Sequence, residues 1–368
     1  MRNTTIGDTI KPDAFLKQAV QVTTVQAMTS LLSQLPIVDE NSYRFNPASP
    51  GNGWVEGRFH WIPLGEDFGN SGRIKLALEP EGPIAERTIN GMEALIELMR
   101  RNELVANQNA PAPPNPREAV ARYFSLPALD HIPKMQTNIQ GLKPQKYARE
   151  LAKRLRVRVS FDKGQREFAV FVEDDGIGQT PGRMHETLLS LGSSDKTDKP
   201  YLIGMFGQGG SSTYAASQLS WCISRRATQF LDGSSDGVGW TVVKEVFNKI
   251  RGSYYAYLAA SPTGEVASLP PDTGDAIGLK HGVRFGHLGY NFSGGGSAVT
   301  REFYQTMNHI LFNPVLPFDM DVGGTVATVY GNGYRLSNAT AKRKTRLDKF
   351  FGQQSLDTIA SDHDIFPQ

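Results

Sequence analysis

Three short segments, each carrying glycines or carboxylates, follow one another in one order along this 368-residue chain and constrain its fold more than any bulk property. The first is Glu86-Arg87-Thr88-Ile89-Asn90-Gly91-Met92-Glu93-Ala94, the second Asp174-Asp175-Gly176-Ile177-Gly178, the third Gly204-Met205-Phe206-Gly207-Gln208-Gly209-Gly210. At 3.6 residues per turn, Glu86, Asn90, Glu93 and Glu97 form one polar stripe of a helix predicted over 84–101. Ile89, Met92, Leu95, Ile96 and Met99 lie together on another side. Taken alone, this is an ordinary surface helix with a solvated acidic face. Asn90, however, stands one turn after a carboxylate. Such a pair can hold an octahedral Mg2+ through oxygen and orient a water beside a base.

The second segment follows a predicted hairpin. Leu155, Val157, Val159 and Phe161 alternate with polar partners, Lys163-Gly164-Gln165 turns the chain, and an apolar run over 168–172 leads into Asp174. Asp-Gly is the commonest kind of turn. At the end of an apolar strand its carboxylate can also accept a hydrogen bond from an exocyclic amine, which would select adenine over guanine. In the third segment the glycines, followed by Ser211 and Ser212, leave backbone N–H groups uncovered at an expected helix start over 211–217, a geometry that binds phosphate. Alone, it reads equally well as a flexible glycine loop.

The rest of the chain predicts an α+β fold. One amphipathic helix is expected over 14–35, strands over 57–64 and 73–78, and an exposed proline-rich connection over 107–116. Helices follow near 117–124 and 145–154, a short one over 184–191, and strands over 219–224, 240–246, 254–259 and 283–290. A helix over 299–311 and a strand pair near 325–334 complete the reading, with short turns favouring antiparallel connections.

Residue by residue, the ordered set resembles the GHKL ATPases: gyrase-type topoisomerases, Hsp90-type chaperones, histidine kinases and MutL mismatch-repair proteins. The pattern is Glu-x-x-x-Asn-x-x-acid-Ala, Asp-x-Gly-x-Gly and Gly-x-x-Gly-x-Gly, over roughly residues 80–290. The resemblance implies a Bergerat-type two-layer α/β sandwich, its mixed, mostly antiparallel sheet covered by helices on one face, with an appended C-terminal α/β segment. It implies Glu86 as general base, Asn90 as Mg2+ ligand with Glu93 beside it, and Asp174 on the adenine amino group with Gly176 and Gly178 shaping the base pocket. Gly204, Gly207, Gln208, Gly209, Gly210 and Ser211 would hold the phosphates. Residues 179–203 would be an ATP lid in which Lys196, within Ser193-Ser194-Asp195-Lys196, approaches a phosphate. By the same resemblance 1–79 is an N-terminal extension, 80–292 the ATP-binding domain with an insertion over 102–150, and 293–368 the start of a transducer-like domain, so that the chain would be the N-terminal part of a longer protein. ATP and Mg2+ are the implied ligands, and hydrolysis is slow. ATP-driven lid closure would switch a homodimer or a contact with a protein partner in a larger assembly. A non-hydrolysing ATP- or ADP-binding module is the alternative; a histidine-kinase-like phosphotransferase lacks an upstream His-Glu phosphoacceptor helix.

Three positions depart from the family pattern. Glu93 stands where most members have Asp, eighty-three residues separate Asn90 from Asp174, and His281-Gly282-Val283 stands where many have Gly-Thr.

Composition narrows the remaining classes. Thirty-nine basic residues against thirty-seven acidic ones leave a net charge of +2, which demands neither nucleic acid nor an acidic membrane. The basic run Lys342-Arg343-Lys344 with Arg346 reads as a solvated loop; the family resemblance implies that one of these residues could reach a γ-phosphate, and a nucleic-acid contact would need more than this one short cluster. Cys222 is the single cysteine, so neither a disulfide framework nor a cysteine zinc site can form, and a reducing compartment fits. With no apolar leader in residues 1–15 and no membrane-length apolar run, a soluble cytoplasmic protein is expected. Gly233-Ser234-Ser235-Asp236-Gly237 matches a hydrolase pattern without the strand and helix that a nucleophile elbow needs. A P-loop is absent, and His281 and His287 are too isolated to suggest a metal site.

Overall fold

A computed structural model describes residues 10–39, 53–74, 79–191, 198–203, 209–292 and 296–338. Lys196, Gly204, Gly207, Gln208 and the basic run at 342–346 lie outside these residues, as does most of the strand expected over 73–78.

The elements begin with α1 (Pro12–Ala19), α2 (Val25–Leu32) and β1 (His60–Pro63), then α3 (Glu81–Ala106), α4 (Pro116–Phe124) and α5 (Pro144–Ala152). The hairpin β2 (Leu155–Asp162) and β3 (Glu167–Asp174) follows, then the single-turn helices α6 (Met184–Thr187) and α7 (Ser212–Ala215). Strands β4 (Leu219–Arg225), β5 (Val238–Asn248), β6 (Gly252–Ala259) and β7 (Ala267–Leu269) lead to α8 (Pro271–Ala276) and β8 (Gly282–Tyr290). Last come α9 (Gly296–Ile310), β9 (Phe318–Val322), β10 (Thr325–Val329) and α10 (Gly331–Ser337).

Among the described residues ten strands join one sheet in the order β1-β6-β5-β4-β8-β3-β2-β9-β10, with β7 beside β5. Every pairing is antiparallel except β2 with β9. Strands from the N-terminal stretch, the centre and the last third therefore share a single hydrogen-bonded surface.

Alternation along β3 sends neighbouring residues to opposite faces. Val170 and Val172 meet Met92, Leu95 and Ile96 of α3 and Phe303 and Met307 of α9. Ala169 and Phe171 meet Phe15 and Leu16 of α1 and Met28 of α2. The Phe15 ring lies 4.8 Å from that of Trp240. Helices thus cover both faces, which corrects the expectation of one covered face.

Two local expectations are also corrected. The single helix over 14–35 is two, because Val20, Val22, Thr23 and Thr24 interrupt it and the Thr24 hydroxyl caps α2 by accepting from Ala27 N at 3.3 Å. The strand pair near 325–334 lies earlier. Val322 faces Thr325 across a Gly323-Gly324 turn, and 331–337 is the helix α10.

Candidate functional site

The site lies on the α3 face of the sheet, where close approaches bring distant segments together. A side chain at Gly176 would lie 2.5 Å from Ala94 Cβ, and one at Gly91 would lie 3.3 Å from Asp174 Cβ. A Cβ at Gly210 would come within 3.2 Å of the Asn90 amide nitrogen. Asn90, Ala94, Asp174 and Gly210 therefore share one locality, although they belong to three separate stretches of sequence.

The Asp174 turn is fastened at every residue. Asp174 Oδ1 accepts from Gly176 N at 2.9 Å, and Ile177 N donates to the Ala94 carbonyl at 3.1 Å. Ala227 N donates to Ile177 O at 2.9 Å, and Arg226 donates to Gly178 O at 2.9 Å. His281 Nδ1 lies 2.7 Å from Gly176 O, so the ring at the position that departs from Gly-Thr supplies a contact to the turn. Gly178 has φ +64°, and an added Cβ would fall 1.9 Å from the Arg225 carbonyl oxygen. Gly178→Ala is accordingly expected to cost roughly 3 kcal/mol, read as a lowered urea midpoint, because backbone must move to admit the methyl.

Between α3 and the sheet is a cavity of about 230 Å³. Asn90, Glu93, Asp174, Gly178, Gly210 and Ser211 line it, while Ile177, Leu188, Leu189, Val172 and Phe285 provide apolar wall. A largely apolar cleft with a few convergent polar groups is the usual form of a small-molecule site. Along α3, Arg87 precedes Gly91, beside which Asp174 lies, by four residues, roughly 6 Å at 1.5 Å per residue, so Arg87 and Asp174 meet the cavity about one helical turn apart.

Glu86 stands apart from the cavity lining. It is exposed, one turn ahead of Asn90, which is also exposed. Glu93 is only 3% exposed and accepts from Ile203 N at 2.6 Å, so the acidic stripe is not the solvated face that periodicity alone suggests. Gly209-Gly210-Ser211 forms a 3-10 turn before α7. With four residues in that helix, against seven expected, uncovered N–H groups rather than a macrodipole are what this turn can offer an anion.

Electrostatics distinguish the two positions. Burial pushes the Asp174 carboxyl up to about 7 against the Gly176 N–H that favours its charged form. At the other position Arg87, 7% exposed, donates from Nε and Nη2 to Thr213 Oγ1 at 3.2 and 3.1 Å. Its guanidinium lies over the Phe285 ring at 3.8 Å and the Tyr214 ring at 4.9 Å. Burial, then the Arg87 charge, holds the His287 imidazole well below its ordinary value, so it is neutral at pH 7. Burial likewise pushes the Cys222 thiol up to about 12, which excludes a thiolate nucleophile at neutral pH.

Arg87, Lys199 and Tyr214 line the cavity and were given no site role by sequence reasoning, and Glu97, read only as part of a polar stripe, lines it too. Glu97 accepts from Lys199 Nζ at 3.1 Å and Tyr201 OH at 2.9 Å, fastening 199–203 to α3. Nothing local signals a contact across a hundred residues. Arg87 did carry a signal, since it falls i+3 from Ile84 and i−4 from Gly91, on a packed side of the helix.

Discounted motifs have structural roles. Asp236, within the hydrolase-like pattern, holds Arg225 with oxygens 2.9 and 3.1 Å from its nitrogens. Among the described residues no three His, Cys, Asp or Glu side chains group to hold a metal. Among the same residues, no helix is long and apolar enough to cross a membrane. No protein-family model matches this chain, and no curated protein sequence matches it.

Proposed function

We propose that this protein binds an adenine nucleotide in the α3 cavity and hydrolyses ATP slowly with Mg2+, in the manner of the GHKL ATPases it resembles. The observation that carries the reading is the convergence of the three ordered segments. Gly176 is packed on Ala94, Gly210 lies beside Asn90, and one cavity runs past both. The antiparallel sheet with α3 across β3 supports a Bergerat-type sandwich. The parallel β2–β9 pair and the helices on the second face are additions to it.

Asp174 would accept the exocyclic amine of adenine, while Gly178 and Ile177 admit the base edge. Glu86, outside the lining, is disposed to polarise a water approaching the phosphate end rather than to bind the base. The donor chemistry fits Mg2+ of the phosphate-borne kind: Asn90 offers an amide oxygen at the cavity wall, and the remaining ligands would be phosphate and water. Bound there, the ion supplies charge stabilisation to phosphoryl oxygens. Glu93 and Glu97 hold the end of the lid stretch to α3, so nucleotide-dependent ordering of the lid has a fixed anchor. Such ordering could close a homodimer or open a surface to a protein partner.

A second reading, a nucleotide-binding module with negligible hydrolysis, is favoured by one observation: Glu86 is exposed and absent from the cavity lining. Calorimetry with ATP and Mg2+, followed by steady-state phosphate release, separates the two. No heat on ATP addition would end both. The base end has its own test, with adenosine used to avoid phosphate titration. A ligand amine needs Asp174 as carboxylate, so affinity for adenosine should rise with pH and be about tenfold tighter at pH 8 than at pH 6. A flat profile would remove Asp174 from base recognition.

A further inference from the structure

We propose that Arg87 and the Tyr214 hydroxyl form the phosphate-recognition pair of this cavity, gripping the polyphosphate of the bound nucleotide from within the fold. This rests on the adenine-nucleotide reading, but the observations behind it are separate.

Arg87 is a permanently charged side chain taken almost wholly out of water. Its contacts among the described residues are one hydroxyl, Thr213 Oγ1, which receives two of its N–H groups, and the faces of Phe285 and Tyr214. No carboxylate is paired with it there. A buried guanidinium compensated only by a neutral hydroxyl and ring faces is an expensive arrangement, and burying charge is ordinarily tolerated when an anion completes it. Its Nη1 lies 3.3 Å from where a Gly210 side chain would begin, so only glycine leaves that space open.

The second observation is independent of the charge. Tyr214 is 3% exposed, lines the same cavity, and its buried hydroxyl, beside the Arg87 guanidinium, has no acceptor for its proton among the described residues. Buried hydroxyls are nearly always satisfied, and an orphan on a cavity wall beside an uncompensated cation marks the place of a missing acceptor. Both groups are donors and neither is an acid, so together they favour an anion with several oxygens. Arg suits phosphoryl groups in particular because its planar fork can meet two oxygens at once. Arg87 stands one helical turn before Gly91, beside which Asp174 lies, and Gly210 lies beside both Arg87 and Asn90, so the pair and the proposed base contact face one cavity.

The test is calorimetric titration of the full chain and its Arg87→Gln and Tyr214→Phe variants with ATP, adenosine and tripolyphosphate, with thermal melts alongside. Arg87→Gln is expected to weaken ATP at least about tenfold and Tyr214→Phe about threefold to tenfold, with adenosine affinity changed less than about twofold in both. ATP affinity unchanged in both folded variants, or adenosine lost in step with ATP, overturns the assignment. Should Arg87→Gln fail to fold, Tyr214→Phe decides alone, since it removes only a hydroxyl whose proton has no acceptor among the described residues and should leave the melting temperature nearly in place. If wild-type protein binds neither ATP nor adenosine, the nucleotide reading fails while Arg87-dependent binding of tripolyphosphate keeps this one. Absence of tripolyphosphate binding as well overturns both.

Discussion

Replacing Glu86 by alanine should lower steady-state phosphate release by about a hundredfold or more while leaving the affinity for ATP within about twofold. The asymmetry follows from where the residue sits. Glu86 is exposed and outside the cavity lining, so truncation neither opens the core nor strips a contact from the base. Its neighbour one turn on, Asn90, keeps the amide at the wall. Glu86→Gln, which keeps the shape and removes only the proton acceptor, should behave the same way. Equal phosphate release from wild type and both variants would dismiss Glu86 as the base. If that shared rate were also near zero, the non-hydrolysing module would stand.

Asp174→Asn should act on the opposite quantity. Loss of the carboxylate that on the proposed reading would receive the adenine amine, with an amide donor turned toward another donor, should weaken ATP binding by about 30- to 150-fold. The preference for ATP over GTP should shrink with it, and the pH dependence of adenosine binding should vanish. Stability should move the other way. A carboxyl raised to about 7 in the fold, from 3.8 when exposed, contributes stability that is complete below 3.8 and is lost as pH rises through 7. At pH 8 the ligand-free Asp174→Asn protein is therefore expected to melt higher than wild type, the Asn oxygen still accepting from Gly176 N. Weaker binding in a more stable protein cannot be misfolding. Unchanged ATP affinity would sink the assignment of Asp174 to the base.

How far the sequence carried differs by element. The β2–β3 hairpin was legible from alternation and its Lys163-Gly164-Gln165 turn, and its register pairs Leu155 with Asp174. Helix α3 was legible from its period, though it runs five residues beyond the expected end at 101. The break between α1 and α2 was underestimated because apolar period outweighed a β-branched run with a threonine cap. At the site, Asn90, Glu93, Asp174, Gly178, Gly210 and Ser211 were each named from motif and do line one cavity. Glu86 was named too and stands outside it. Glu93 and Glu97, taken for a solvated stripe, hold Ile203, Lys199 and Tyr201 instead.

The division has a physical origin. Periodicity, turn chemistry and glycine spacing act within a dozen residues, and they were sufficient for β1 to β6 and β8, the long helix and the Asp174 turn, but not for β7 or β9. The order of strands, the second helical layer on Phe171 and Trp240, and the burial of Arg87 between Thr213 and Phe285 arise from contacts far beyond the reach of any local pattern. Those depend on which surfaces exclude water together, a property of the packed chain that no local stretch of it carries.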